Sequence, residues 1–265
     1  MAPDPSNKVS LYRHPDQDSL SLTDRFTFQC HPGLACFNRC CRTPTIVLSP
    51  YDILRLTRTL ELSSGEFLQR YTRRVIEPHS NLPLIFMDAY RSAEPGCPLL
   101  GPEGCAVYPH RPAACRLFPI TMGSQWTETG VLDSYFCRRL EYCRGFDGGA
   151  EWTVASWRAN QGFEEYDQGR AAWIAILLKA GMQEPGGVDA QVQDLFATLS
   201  YDLDRVRRWL TQPAFAEACG LDGEAAEAMG ADDSALLRLS YRLLESLLFG
   251  APRRVLLDAA LAAAD

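Results

Sequence analysis

Four cysteines fall within twelve residues near the start of the chain, and this run constrains the fold more than any other stretch. Turn-forming residues such as His31-Pro32-Gly33 separate the cysteines, so the run cannot form a regular helix or strand. Two further runs follow, and nine of the ten cysteines lie in the first 143 residues. The first run holds Cys30, Cys36, Cys40 and Cys41, the second holds Cys97, Cys105 and Cys115, and the third holds Cys137 and Cys143. We interpret the three runs as loops that converge on a metal centre.

The segment 94–119 shows why a metal is needed. It contains six prolines and three glycines, which exclude a long helix or a central strand. Such a stretch has few backbone hydrogen bonds of its own, and ligation of its thiols would supply the missing restraint.

The cellular compartment expected for this chain favours cysteines that bind a metal over cysteines that form disulfides. Residues 1–22 are polar, contain three prolines and lack the apolar core of a signal peptide. No apolar run reaches the length of a membrane helix. We therefore expect a cytoplasmic protein with reduced thiols and without a membrane partner.

Thiolates are soft ligands that select zinc, copper(I) or iron–sulfur clusters. The spacing does not match a zinc ribbon, since only Cys36 and Cys40 have the separation of a zinc knuckle. Irregular spacing in loops favours a 4Fe-4S cluster, whose corners accept ligands from separate segments. Nine thiols exceed one such site, so the sequence predicts one or two clusters, with zinc as the alternative. Cys137, His31 and His110 are left open as ligands.

The remaining signals are mainly exclusions. A formal charge of −7 without a basic tract argues against a nucleic-acid partner. Phosphate-binding loops, dinucleotide fingerprints and nucleophile elbows are missing from the sequence, which leaves open whether the chain is an enzyme. Cys219 stands alone in a helical region and is expected to be a small buried hydrophobic residue.

Periodicity divides the chain into a flexible arm (1–24), a cysteine-cluster metal-binding domain (25–150) and a helical domain (151–265). Ser49-Pro50 and the pair Ser63 and Glu66 predict two helix starts inside the second part. Helices are predicted over about 190–210, 213–229, 233–249 and 251–264, with a linker over 183–190. The expected fold is mostly α-helical, with irregular cysteine-rich loops and a few short strands. In it a metal-organised N-terminal half packs on a helical C-terminal half.

Several motifs, covering about residues 26–150, resemble the YkgJ-type cysteine cluster proteins, a CxxCxxCC family described as zinc- or iron-chelating. The resemblance rests on Phe28-Gln29-Cys30, Cys40-Cys41-Arg42, the run from Cys97 to Tyr108, the segment from Arg111 to Pro119, and Cys143-Arg144-Gly145. The first run departs from the family pattern, because its gaps of five and three residues are wider. A related branch includes flagellin lysine methylases, which are associated with a four-iron cluster.

Taken with the family, eight cysteines are the predicted ligands: Cys30, Cys36, Cys40, Cys41, Cys97, Cys105, Cys115 and Cys143. The first hypothesis is a metalloprotein that serves electron transfer, sensing or protein modification and meets a partner protein. The rivals are a structural zinc module and a lysine methylase-like enzyme, although no methyl-donor site is recognisable.

Overall fold

The structure, a computed structural model, describes residues 19–42, 44–90, 96–183, 188–250, 258–260 and 262–263. Most of the predicted arm, the centre of the predicted linker and most of the predicted last helix lie outside these ranges. Helices predominate, strands are short, and the cysteine runs form irregular loops in the N-terminal half, so the predicted fold class is confirmed.

The strands, in chain order, are β1 (Arg25–Phe28), β2 (Val47–Leu48), β3 (Thr72–Ile76), β4 (Pro83–Met87), β5 (Leu100–Gly101), β6 (Gly104–Cys105), β7 (Ile120–Thr127), β8 (Gly130–Cys137) and β9 (Ala150–Thr153). The helices are α1 (Pro50–Leu60), α2 (Ser64–Tyr71), α3 (Ala113–Leu117), α4 (Val154–Asn160), α5 (Glu164–Ala180), α6 (Ala190–Tyr201), α7 (Leu203–Leu210), α8 (Pro213–Ala218), α9 (Gly223–Ala231) and α10 (Asp233–Phe249). Two 3-10 turns cover Arg39–Cys41 and Tyr108–His110.

Contacts divide the chain into two compact units that do not follow sequence order. The first unit comprises Met1–Val47 and Met87–Gly169, and the second comprises Leu48–Phe86 and Arg170–Asp265. The predicted boundary at 150/151 thus differs from the contact grouping, in which α1, α2 and β3 belong with the later helices. Their apolar faces explain the grouping, because Ile53, Leu56 and Phe67 are buried in the second unit.

The first unit is built from small antiparallel pairs. In one, β1 pairs with β9, so that Phe26 lies opposite Trp152. In another, β7 and β8 form a hairpin from the Ile120–Cys137 pair to the Thr127–Gly130 pair. The chain reverses at Glu128 and Thr129, between the paired residues Thr127 and Gly130. The pairing of β9 with β1 was not predicted from the sequence.

An aromatic cluster forms the core of the first unit. Trp157 on α4 meets Phe26, Phe28 and Trp152 edge to face, at ring-centroid distances of 6.0, 5.7 and 5.2 Å. Edge-to-face contacts favour such clusters beyond simple burial. Because Phe28 is only two residues from Cys30, this core also fixes where the first cysteine run begins.

The second unit combines the three-stranded sheet β2-β4-β3 with a helical layer. Residues such as Phe196 on α6 and Leu244 on α10 are fully buried in its core. Both predicted helix starts are confirmed, since Ser49 and Ser63 form capping boxes with Asp52 and Glu66.

Two predictions of single helices need correction. The segment 190–210 holds α6 and α7, because Asp202 leaves helical geometry and its side chain caps α7 through the Arg205 N–H. The segment 213–229 holds α8 and α9, separated by Gly220 at φ 72° and the N-cap Asp222. Within the described residues, no helix combines the length and the apolarity that crossing a membrane requires.

Candidate metal centre

All ten cysteines lie within the described ranges, and all are free thiols. Nine belong to the first unit, whereas Cys219 lies at the C-terminal end of α8 in the second unit. The nine thiols sit on loops, on a 3-10 turn, on the short strand β6, on α3 and at the end of β8. The structure therefore groups Cys219 with the second unit, where it is half-buried and not fully buried as expected.

A first group of thiols shares one small cavity. Its lining includes Cys30, Cys36, Cys40 and Cys143, with apolar side chains such as Phe28, Leu34, Phe118 and Leu140. The Cys36 sulfur accepts a hydrogen bond from the Arg144 backbone N–H at 3.2 Å, which ties the first and third runs together. We call these four residues the first cysteine group.

Electrostatics supports the same grouping. Cys30 is exposed as a residue, but its thiol faces the cavity, where burial raises its pKa to about 11. The neighbouring Cys40, Cys36 and Cys143 contribute to this higher pKa of Cys30, because several thiolates repel one another at close range, and Arg111 opposes it. A cation at the centre would remove this repulsion.

A second group forms from the remaining predicted ligands. The Cys97 N–H donates to the Cys41 carbonyl at 2.7 Å, and Cys105 pairs with Leu100 across β5 and β6. The Leu100 N–H in turn bonds to the Cys97 carbonyl at 3.0 Å, which brings Cys105 near Cys97. The thiols of Cys97 and Cys115 help raise the pKa of Cys41, after larger contributions from its bond to Cys40 and from burial. We call Cys41, Cys97, Cys105 and Cys115 the second cysteine group.

Cys40 and Cys41 mark the point where the two groups meet. They lie on the 3-10 turn that starts after Asn38, whose φ of 63° is left-handed, a conformation that Asn tolerates better than most residues. The Cys41 thiol donates to the Cys40 sulfur, which lowers the pKa of Cys40 to about 7 and raises that of Cys41. Because the backbone here is a 3-10 turn and not an extended strand, the two side chains do not point to opposite faces. At this tight turn the two thiols are in contact with each other.

Gly145 explains how the third run reaches the first. A Cβ atom at this position would lie 2.4 Å from the Phe28 ring and 2.6 Å from the Gln29 carbonyl. The Gln29 N–H donates to the Gly145 carbonyl at 2.9 Å. Only glycine allows this approach, which positions Cys143 beside the first run.

The short helix α3 carries Cys115 and is held by one side chain from α4 and by one of its own. The Trp157 indole N–H donates to the Leu117 carbonyl at 2.8 Å. Arg116 donates to the Gln161 carbonyl at 2.6 Å. The Trp157 bond satisfies a carbonyl at the C-terminal end of α3, and the Arg116 bond ties the helix to the residue that follows α4.

The residues left open by the sequence lie in different places. Cys137 ends β8 opposite Ile120, and burial raises its pKa. His31 is exposed, and its Nδ1 accepts the Gly33 N–H at 3.2 Å. His110 ends a 3-10 turn. Cys137 does not line the cavity of the first cysteine group, and it is not part of the β5–β6 pair that carries Cys105 of the second group.

Sequence reasoning missed two further residues. Tyr142 lines the cavity of the first cysteine group and lies under the Arg39 guanidinium, 4.7 Å from the ring centroid. Arg111 stacks on Tyr108 at 4.0 Å beside the helix that carries Cys115. The only signal available was sequence proximity to cysteines, which many arginines of this chain share.

The chemistry of the two groups fits a thiophilic metal. Each offers four sulfur ligands, the number that tetrahedral zinc or a 4Fe-4S cluster takes. Within the described residues, no three His, Cys, Asp or Glu side chains already converge into a group that could hold a metal ion. The assignment of the eight ligands accordingly stays a prediction.

These observations define a cysteine-cluster metal-chelating domain. Residues 29–144 match the model of the CxxCxxCC family, whose description reads "Putative zinc- or iron-chelating domain". The resemblance seen in the sequence is thereby confirmed for residues 29–144. Comparison with curated proteins and with solved structures gave no match. The relation to flagellin lysine methylases stays a prediction.

Proposed function

We propose that the chain holds two 4Fe-4S clusters, one on each cysteine group. The observation that supports this proposal is that Cys30, Cys36, Cys40 and Cys143 line one cavity, whereas backbone contacts bring Cys97 close to Cys41 and to Cys105. A single cluster would leave four thiols together without a cation, an arrangement prone to oxidation.

Zinc is the second candidate metal for the same sites. It is supported by the family description, which names zinc and iron equally. The wide and irregular spacing of the cysteines favours iron, because a cubane accepts ligands that are farther apart than those of a single ion. Free thiols at all ten cysteines agree with our proposal that the protein works in the reducing cytoplasm.

For the role of the centres we propose electron exchange with a partner protein at the first cysteine group. Cys30 and Cys40 are exposed there. Arg39 stacks on Tyr142 and Arg139 on Phe146 around the same loops, at 4.7 and 4.6 Å. These cations would attract an acidic electron carrier to a chain that is otherwise acidic. Sensing and modification of a protein side chain are alternatives that no described contact favours.

The number and kind of centres can be tested by counting. Protein purified without oxygen should be brown and contain about eight irons and eight sulfides per chain. Cys40→Ser and Cys41→Ser should each lower the iron content by about half and change different spectroscopic signals. Cys219→Ser is the matched control and should leave the count unchanged.

Three results would count against the proposal. About four irons in fully loaded protein, with both variants erasing one signal, would leave a single centre. A colourless protein with stoichiometric zinc would support the structural zinc module. Protein without bound metal after anaerobic loading would remove the basis for both.

The role of the exposed arginines has a separate test. Iron-loaded protein should be reduced by a plant-type ferredoxin more slowly after Arg39→Gln and Arg139→Gln together, with the largest difference at low salt. Reduction by dithionite, a small molecule, serves as the control and should be unaffected. Equal ferredoxin rates for the two proteins would contradict docking at this surface.

A further inference from the structure

Two arginines flank the helix that carries Cys115, and backbone and amide oxygens hold both in place. Arg111 donates to the Tyr108 carbonyl at 2.8 Å and to the Gln161 side chain at 2.6 Å. Arg116 donates to the Gln161 and Pro109 carbonyls. Because one residue, Gln161, serves both arginines, the two guanidinium groups are fixed next to each other.

Neither arginine has a carboxylate partner within the described part of the chain. Every acceptor named above is a neutral oxygen, and the Arg116 Nε is buried without a hydrogen-bond partner. Arg158 in the same unit behaves differently, since it forms an ion pair with Asp167. Two adjacent, half-buried cations without an anion are unfavourable, because burial weakens their hydration and they repel each other.

Cys115 and Cys105 of the second cysteine group are the thiols whose charge acts on Arg111, and Arg111 in turn makes a minor contribution at Cys30 of the first group. Arg116 directly follows Cys115 in the sequence, and Arg111 lies just before the N-cap of the same helix. Burial lowers the pKa of Arg111, and the charges of Tyr108, Cys115 and Cys105 oppose that shift. An arginine remains protonated throughout the physiological range, so its positive charge is permanent.

We propose that Arg111 and Arg116 are positioning residues that supply the counter-charge for the second cysteine group, which binds its metal as a net anion. Four thiolates around a doubly positive metal core leave a net charge of about −2, which two guanidinium cations offset. This inference rests on the proposed function, but it holds for zinc as well as for iron, since both cores leave the same charge.

The test separates charge from hydrogen bonding at Arg111. Arg111→Gln removes the charge, whereas Arg111→Lys keeps it and loses the planar fork of donors. The probe is zinc alone, and affinity is measured by competition with a coloured chelator. Arg111→Gln should weaken binding by about tenfold, less at high salt, and Arg111→Lys should stay close to the unaltered chain. Arg25→Gln is the control, since it removes an exposed charge from the same unit.

A double-mutant comparison assigns the effect to the second cysteine group. In a Cys115→Ser background that group is incomplete, so the zinc that still binds is held by the first cysteine group. Adding Arg111→Gln should not lower the affinity for that zinc further. Thermal unfolding followed by circular dichroism verifies that each variant is folded.

If the Cys115→Ser chain does not fold, iron-loaded protein carrying Arg111→Gln alone provides the second measurement. Loss of a nearby cation should lower the midpoint potential of one cluster and leave the other unchanged. An unchanged potential at both clusters would reject the inference.

The outcomes are distinct. Equal weakening by Arg111→Gln and Arg111→Lys would assign the residue a structural role and overturn the inference, as would unchanged zinc affinity in both. A loss that persists undiminished in the Cys115→Ser background would place the arginine at the other group and also overturn it. Zinc and iron binding too weak to measure in the unaltered chain would instead remove the proposed function itself.

Discussion

Trp157 connects the aromatic core to the helix of Cys115, and its replacement by Phe isolates one hydrogen bond. The indole is 7% exposed, and its N–H reaches the Leu117 carbonyl at 2.8 Å. Phe preserves the aromatic contacts with Phe26 and Phe28 and removes the only polar atom of the side chain. The substitution therefore leaves a buried carbonyl without a donor.

The expected cost follows from that geometry. A buried acceptor that loses its donor costs about 1–3 kcal/mol. The smaller ring adds a partial cavity, whereas Trp157→Ala would lose the whole ring at about 3–5 kcal/mol. We therefore expect Trp157→Phe to lower the free energy of unfolding by about 1–3 kcal/mol and Trp157→Ala by more.

Urea unfolding of the zinc-loaded protein at a fixed concentration of free zinc, followed by circular dichroism, measures both changes. Trp126→Phe is a matched control, since that indole lies on the hairpin and is 37% exposed. Zinc affinity should fall in Trp157→Phe, because Leu117 lies two residues from Cys115. A midpoint and slope equal to those of the unaltered chain would refute the assigned hydrogen bond.

Three further outcomes are expected. Removal of the metal should make residues 96–119 sensitive to limited proteolysis, and equal protection with and without metal would contradict a metal-organised loop. Cys219→Ala should keep the metal content. In the unaltered metal-free chain, burial raises the pKa of this thiol to about 11 in the folded state, whereas in the unfolded state the thiol ionises above pH 9. The free energy of unfolding should therefore fall between pH 9 and 11. Urea unfolding across that range should show a smaller fall for Cys219→Ala. Iodoacetamide at pH 7 should label Cys40 before Cys30 in metal-free protein, because the pKa of Cys40 is lowered to about 7 and that of Cys30 is raised to about 11. Cys41→Ala removes the hydrogen-bond donor to Cys40 and should slow its labelling, which peptide mass spectrometry can verify.

The sequence by itself determined those elements whose causes lie within one or two turns of chain. Ser49 and Ser63 begin helices because their hydroxyl groups and the acidic residues three positions later satisfy the free N–H groups of the first turn. The start of α10 after Asp232 has the same origin. The cysteine runs were also readable, since proline and glycine exclude regular structure whatever surrounds them.

Helix breaks within apolar segments were harder to predict. Asp202 interrupts an apolar run that reads as one helix, and its geometry depends on Ser64, whose hydroxyl bonds to Asp202 from 138 residues away. Periodicity cannot reveal such a partner, because the competing hydrogen bond exists only in the folded chain.

The division of the eight cysteines that we propose depends on tertiary structure. Spacing indicated more thiols than one centre needs, but it could not assign Cys143 to the group of Cys30 or Cys97 to that of Cys41. That assignment depends on a close approach of Gly145 to Phe28 and on one backbone hydrogen bond between Cys97 and Cys41. Both join segments that are far apart in sequence, so their formation depends on the packing of the whole first unit and not on local propensity.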